Sequence, residues 1–194
     1  MTALLILAAG ASNRLGFPKQ TLLYKGKTLI EHAIEVGLKS KCQSVTIVLG
    51  ANVDSIETGI KHYPVNIIQN NNWADGMASS IKAGIEVLKE NPDTENVVIM
   101  LCDQPFVNRA LIDSMLYKQQ ETGKKIVACA YNDTLGVPVL FNKSFFTELL
   151  MLQGKEGAKK IINNHPDDVV AVSFEKGAID IDTLNDYQAL LKKS

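Results

Sequence analysis

The sequence predicts an α/β fold of three layers, a mostly parallel sheet with helices on both faces, in one domain spanning residues 1–194. Three observations carry this. Apolar runs at residues 3–9, 44–50 and 97–102 lack the alternation of a sheet with one wet face, so each reads as a strand buried on both sides. Segments with apolar residues at helical spacing separate them, which is the rhythm of right-handed βαβ units. No internal repeat, low-complexity tract or Pro/Gly/Ser-rich linker divides the chain.

The first strand, residues 3–9, stops at Gly10. A helix follows over 28–39, with Leu29, Ile30, Ala33, Ile34, Val36 and Leu38 on its apolar side and Thr28 with Glu31 as a capping box. The strand at 44–50 leads to a polar helix at 53–62 and a short strand at 65–68. Ile81, Ile85 and Leu88 mark a helix over 76–89, and the Asn91-Pro92-Asp93 turn introduces the strand at 97–102. The second half is less regular: a helix at 108–121, strands at 125–130 and 137–141, helical stretches at 145–152 and 158–164, a strand at 169–174, and a last helix at 183–192. This succession is Rossmann-like.

Composition narrows the function classes. Twenty Lys+Arg against 21 Asp+Glu give a net charge of −1, which argues against a general nucleic-acid binder. The balance hides a sorting of charge. The first 30 residues hold Arg14, Lys19, Lys25 and Lys27 and no acid, so the remainder carries −5. No apolar run reaches the roughly 18 residues of a membrane span, and the N-terminal strand lacks a signal peptide's basic start; cytoplasmic residence without a membrane partner is expected. Cys42, Cys102 and Cys129 lie in or beside apolar runs and read as buried free thiols. His32, His62 and His165 are too scattered for a histidine metal centre.

Residues 7–19 read Leu-Ala-Ala-Gly-Ala-Ser-Asn-Arg-Leu-Gly-Phe-Pro-Lys. Small residues let backbone N–H groups approach an anion, while Arg14 and Lys19 add positive charge; together they suit a polyphosphate. The spacing is neither a Walker A loop nor Gly-x-Gly-x-x-Gly. Asp103, in Cys-Asp-Gln-Pro-Phe, follows a buried strand at the end where α/β sheets bind ligands. A carboxylate there suits Mg²⁺, and equally an Asx turn or cap. Asp180-Ile181-Asp182-Thr183 precedes the last helix, with Thr183 and Asp186 in a capping pattern. In Asn72-Trp73-Ala74-Asp75-Gly76-Met77-Ala78-Ser79-Ser80, Gly76 permits close backbone approach and Ser79 and Ser80 open a helix. Trp73 suits either ligand stacking or packing.

These segments resemble the MobA-like nucleotidyltransferases, and within them the molybdenum cofactor cytidylyltransferase branch. The resemblance implies a nucleotide-diphospho-sugar transferase type of fold, and nucleotide contacts at Ala8, Ala9, Gly10, Ser12, Arg14, Gly16, Lys19, Gly76, Ser79 and Ser80. Ala9, where guanylyl-transferring relatives tend to have glycine, implies CTP. Asp103 and Asp182 would hold Mg²⁺, with Arg14, Lys19 and Asp103 as the catalytic group. The implied reaction transfers CMP from CTP to a molybdopterin-type cofactor and releases pyrophosphate. A sugar phosphate or other small phosphate as acceptor, or a non-catalytic cofactor carrier serving a molybdoenzyme, are the alternatives. Leu135-Gly136-Val137-Pro138 also resembles a family segment. Lys155 and Lys159, in Gly-Lys-Glu-Gly-Ala-Lys, depart from the family's Asp and Arg, which bears on the acceptor because Lys cannot make Arg's bidentate contact.

Overall fold

The protein is described by a computed structural model covering residues 1–192. In chain order the elements are β1 (Thr2–Ala8), β2 (Leu23–Tyr24), β3 (Lys27–Thr28), α1 (Leu29–Lys39), β4 (Ser44–Leu49), α2 (Val53–Ile60), β5 (Asn66–Gln69) and α3 (Met77–Leu88). There follow β6 (Asn96–Leu101), α4 (Arg109–Thr122), β7 (Ile126–Tyr131), β8 (Thr134–Asn142), α5 (Phe146–Met151), α6 (Ala158–Asn164), β9 (Val169–Ser173) and α7 (Leu184–Lys192). The main sheet has seven strands in the order β5-β4-β1-β6-β8-β7-β9. β8 alone among these described strands runs antiparallel to its neighbours.

β1 is central because every residue in it is apolar enough, or small enough, to be covered. Its pairing sets Ala3 beside Ser44 on one side and Val97 on the other. Successive side chains then alternate between two cores. Leu4, Ile6 and Ala8 face a core shared with α1, α2 and α4, whereas Ala3, Leu5 and Leu7 face one shared with α3, α5 and α6. The three-layer α/β fold read from the sequence is the observed one. α1 opens with the Thr28–Glu31 capping box, both reciprocal hydrogen bonds being present. Thr183 and Asp186 make the corresponding pair ahead of α7.

Two features were not anticipated. β7 and β8 form a hairpin whose turn is Asn132-Asp133, both with positive φ (46° and 55°), the conformation of a type I′ turn. The expected strand at 137–141 is therefore longer and pairs directly with its predecessor. β2 and β3 make a small separate hairpin after the first loop. With α7, this hairpin encloses a third apolar cluster of Leu15, Leu22, Tyr24, Leu29, Ile181 and Leu190. That minor core binds the first loop to the C-terminal segment and so assembles the site.

Candidate functional site

The cleft lies beyond the carboxyl ends of β1 and β6, where loops rather than helices cover the sheet. The chain leaves β1 at Ala8 and turns through Ser12, whose φ of 56° is left-handed. The Ser12 carbonyl accepts N–H groups from Leu15 at 2.9 Å and Gly16 at 3.2 Å. Its hydroxyl Oγ accepts the Lys19 N–H at 3.0 Å. Leu15 is buried in the minor core, which fixes the loop from beneath. Gln20, 1% exposed, donates from Nε2 to the carbonyls of Ala8 at 2.7 Å and Gly10 at 3.0 Å. The loop is thus held shut at its base.

Lys19 is the centre of the charged groups. Its Nζ donates to Asp103 Oδ2 and, at 2.9 Å, to Asp182 Oδ1. Arg14 Nη2 donates to the other oxygen of Asp182 at 2.8 Å. Asp182 reaches this point because Ile181, fully buried, anchors its segment and donates its N–H to the Asp103 carbonyl at 3.2 Å. Asp103, just after β6, is buried, at 6% exposed, rather than open to solvent. Among the described residues its Oδ1 has no hydrogen-bond partner.

The titration behaviour follows from this crowding. Burial alone would lower Lys19, but the Asp103 charge and the hydrogen bonds to Asp103 and Asp182 prevail and raise it above the ordinary lysine value. The hydrogen bond from Lys19, with the Lys19 and Arg14 charges, holds Asp182 below the usual carboxylate range. Burial, then repulsion from Asp103 and Asp182, pushes Asp180 up to about 6. Three carboxylates therefore face two cations. Cys102 lines the same cleft, and burial pushes its thiol up to about 12. It is no nucleophile at neutral pH.

Beside these charges lies a pocket of about 310 Å³, lined by Ala8, Ala9, Gly10 and Lys19 on one side and by Trp73, Gly76, Met77 and Ser80 on the other. Trp73 and Met77 are 36% and 43% exposed and form an apolar lip. Gly50 lets this lip close on the loop, since a Cβ there would lie 2.6 Å from Trp73 Cβ and 2.8 Å from the Ala9 carbonyl oxygen. Gly76 has φ +107°, and a Cβ would stand 2.4 Å from the Gly154 carbonyl oxygen. That same oxygen accepts the Ala78 N–H at 3.1 Å. The turn carrying Lys155 is thereby fastened to the start of α3.

Of the site residues expected from sequence, Arg14, Lys19, Asp103 and Asp182 converge, and Ala8, Ala9, Gly10, Gly76 and Ser80 line the adjoining pocket. Two hydroxyls are engaged internally. Ser12 Oγ holds Lys19, and Ser79 Oγ donates to the Gly76 carbonyl while accepting from Asn70. Asn70 also donates to Ser80 Oγ at 3.0 Å. Sequence reasoning missed Asn70 and Gln20, both buried polar side chains. A polar residue directly after a strand was the available signal for Asn70; Gln20 had none.

The residues suit a divalent cation. Mg²⁺ needs one or two carboxylates, the remaining ligands being phosphate oxygens and water. Asp103 and Asp182 already share one cation, the Lys19 ammonium, and Asp103 offers a buried oxygen with no described partner. Among the described residues there is no group of three or more His, Cys, Asp or Glu side chains placed to cage a metal by themselves.

The chain is similar to several known proteins. Nicotine blue oxidoreductase of Paenarthrobacter nicotinovorans is 30% identical over 96% of this chain and 94% of its own length. The 2-C-methyl-D-erythritol 4-phosphate cytidylyltransferase of Thermotoga neapolitana is 30% identical over 70% of the chain and 61% of its own length. A probable molybdenum cofactor guanylyltransferase of Bacillus mycoides is 28% identical over 58% and 54%. Rv0371c of Mycobacterium tuberculosis, solved in complex with manganese, shares the fold at a TM-score of 0.84 and 24% identity, covering 100% of this chain and 99% of that one. The MobA-like NTP transferase domain matches residues 4–169, and the chain belongs to that family.

Proposed function

We propose that the protein transfers CMP from CTP to a molybdopterin-type cofactor with Mg²⁺, releasing pyrophosphate. The observation that carries a nucleotidyl-transfer reading is the Lys19 ammonium held between Asp103 and Asp182 at the mouth of a pocket lined by the Ala8–Gly10 backbone. A phosphate oxygen of the acceptor attacks the α-phosphorus in line, and pyrophosphate leaves. The acceptor is already anionic, so positioning and charge neutralisation supply most of the catalysis. Arg14 and Lys19 turn from the carboxylates to the polyphosphate, and the loop backbone orients it. Asp103 and Asp182 would hold Mg²⁺, which would supply charge neutralisation at the phosphates. The apolar lip of Trp73 and Met77 flanks the base.

CTP is supported by Ala9 in the loop and by the cytidylyltransferase relative; the cofactor as acceptor is supported by the motif resemblance. The guanylyltransferase relative makes GTP the competing nucleotide, and the oxidoreductase relative makes a redox reaction the competing chemistry. One experiment separates them. The protein is incubated with CTP, GTP or ATP, Mg²⁺ and either molybdopterin cofactor or sugar phosphates, with pyrophosphate as the readout, beside a parallel assay of nicotine blue turnover. Pyrophosphate from CTP with molybdopterin is expected. Release with sugar phosphates only overturns the acceptor, release with GTP only overturns the nucleotide, and nicotine blue turnover without pyrophosphate overturns the reaction.

A further inference from the structure

Gln20 is a neutral, buried side chain placed between the strand and the loop of the site. Both contacts of its Nε2 go to carbonyls of the segment that begins the loop, Ala8 at 2.7 Å and Gly10 at 3.0 Å. Its amide orientation is fixed by this, since a flipped amide would set oxygen against two carbonyl oxygens. Among the described residues Oε1 then has no partner although it is buried, an arrangement that is costly in a protein interior. Packing alone would be served better by leucine.

A trans peptide carries its N–H opposite its C=O. When Gln20 draws the Ala8 and Gly10 carbonyls towards itself, the N–H groups of Ala9 and Ala11 turn the other way. Ala9 and Ala11 both line the pocket. Gln20 also follows Lys19 directly, and the Lys19 N–H is held by Ser12. One side chain thus couples the orientation of two peptide planes to the placement of the lysine.

We infer that Gln20 is a positioning residue for polyphosphate: it aims the backbone N–H groups of the first loop at the anion without touching the reacting atoms. The inference rests on the nucleotide reading of the site.

The test uses Gln20→Leu and Gln20→Glu, with calorimetric binding of inorganic tripolyphosphate and of Mg-CTP, and cytidine as a probe that carries no phosphate. Gln20→Leu should bind tripolyphosphate about tenfold more weakly, which corresponds to about 1.4 kcal/mol, with cytidine binding unchanged. Gln20→Glu should be weak at pH 8 and recover as pH is lowered, because a protonated Glu regains one donor to the carbonyls. A filler role would produce no such pH recovery. Folded variants that bind tripolyphosphate within about twofold of the wild type overturn the inference, that margin being under about 0.5 kcal/mol. If Gln20→Leu does not fold, the pH profile of Gln20→Glu decides, and an absence of recovery overturns it. A wild-type protein that binds neither Mg-CTP nor tripolyphosphate refutes the nucleotide reading itself and removes this inference with it.

Discussion

Replacing Lys19 by Met should make folding depend on divalent metal. Asp103 is the partner that matters, because its side chain is 9% exposed and that of Lys19 is 17% exposed, whereas Asp182 is 37% exposed. Removing one member of a buried pair costs about 3–5 kcal/mol, because the other charge stays buried and unpaired. The exposed Asp182 contact adds less than about 1 kcal/mol. A loss near 3 kcal/mol corresponds to a Tm about 6–12 °C lower in a chain of this size. Thermal unfolding is measured in EDTA and then in millimolar Mg²⁺ or Mn²⁺. Metal should restore much of the loss, since at 100 times its Kd a ligand stabilises by about 2.7 kcal/mol. The wild type should respond less, its own ammonium already occupying the space between the carboxylates. An unchanged Tm in EDTA, or metal stabilising the wild type as strongly as the variant, would refute the reasoning.

Other perturbations separate catalysis from stability. Asp182→Asn should keep Tm within about 1 kcal/mol equivalent yet lower pyrophosphate release at least about 100-fold, an effect of the size seen when one electrostatic stabiliser is removed; a turnover close to wild type would deny Asp182 any metal role. Gly76→Ala should cost at least about 2 kcal/mol, since an L residue is strained at φ +107° and its Cβ would meet the Gly154 carbonyl oxygen; denaturant unfolding measures this. Glu35 gives the pH dependence. Hydrogen bonds from Lys27 and Lys39, with their charges, hold its carboxyl at about 2, against an ordinary 4.5. The stability it contributes is therefore complete above pH 4.5 and is lost as pH falls through 2. Glu35→Gln should cost less than about 1 kcal/mol at pH 7, and the gap between the two unfolding curves should close over that acid window.

What was legible in the sequence depended on local physics. β1, β4 and β6 declared themselves because strands covered on both faces must be apolar throughout. The capping boxes at Thr28 and Thr183 were legible because both partners lie within one turn. The β7–β8 hairpin was not, since Asn132-Asp133 lacks the glycine that usually marks a type I′ turn. The minor core under the first loop was equally hidden, for its members lie far apart in sequence. With it went the burial of Asp103 and the pairing of Lys19 with two carboxylates.

Asp182 shows how far a local pattern can reach. In Asp180-Ile181-Asp182, Asp182 meets Lys19 and Arg14 beside the fully buried Ile181, which anchors the segment. The same residue ties that segment to Asp103 through its backbone N–H and rests in a cluster with Leu15 of the first loop. Apolar packing therefore sets the distance between acidic groups that repel one another, and Lys19 and Arg14 offset the repulsion in the ligand-free protein. Under the proposed nucleotidyl transfer those two cations turn to the polyphosphate, and Asp103 and Asp182 are then left without a cation between them. On that reading a divalent ion should bind more tightly in the presence of the nucleotide than alone, which calorimetry with and without CTP measures.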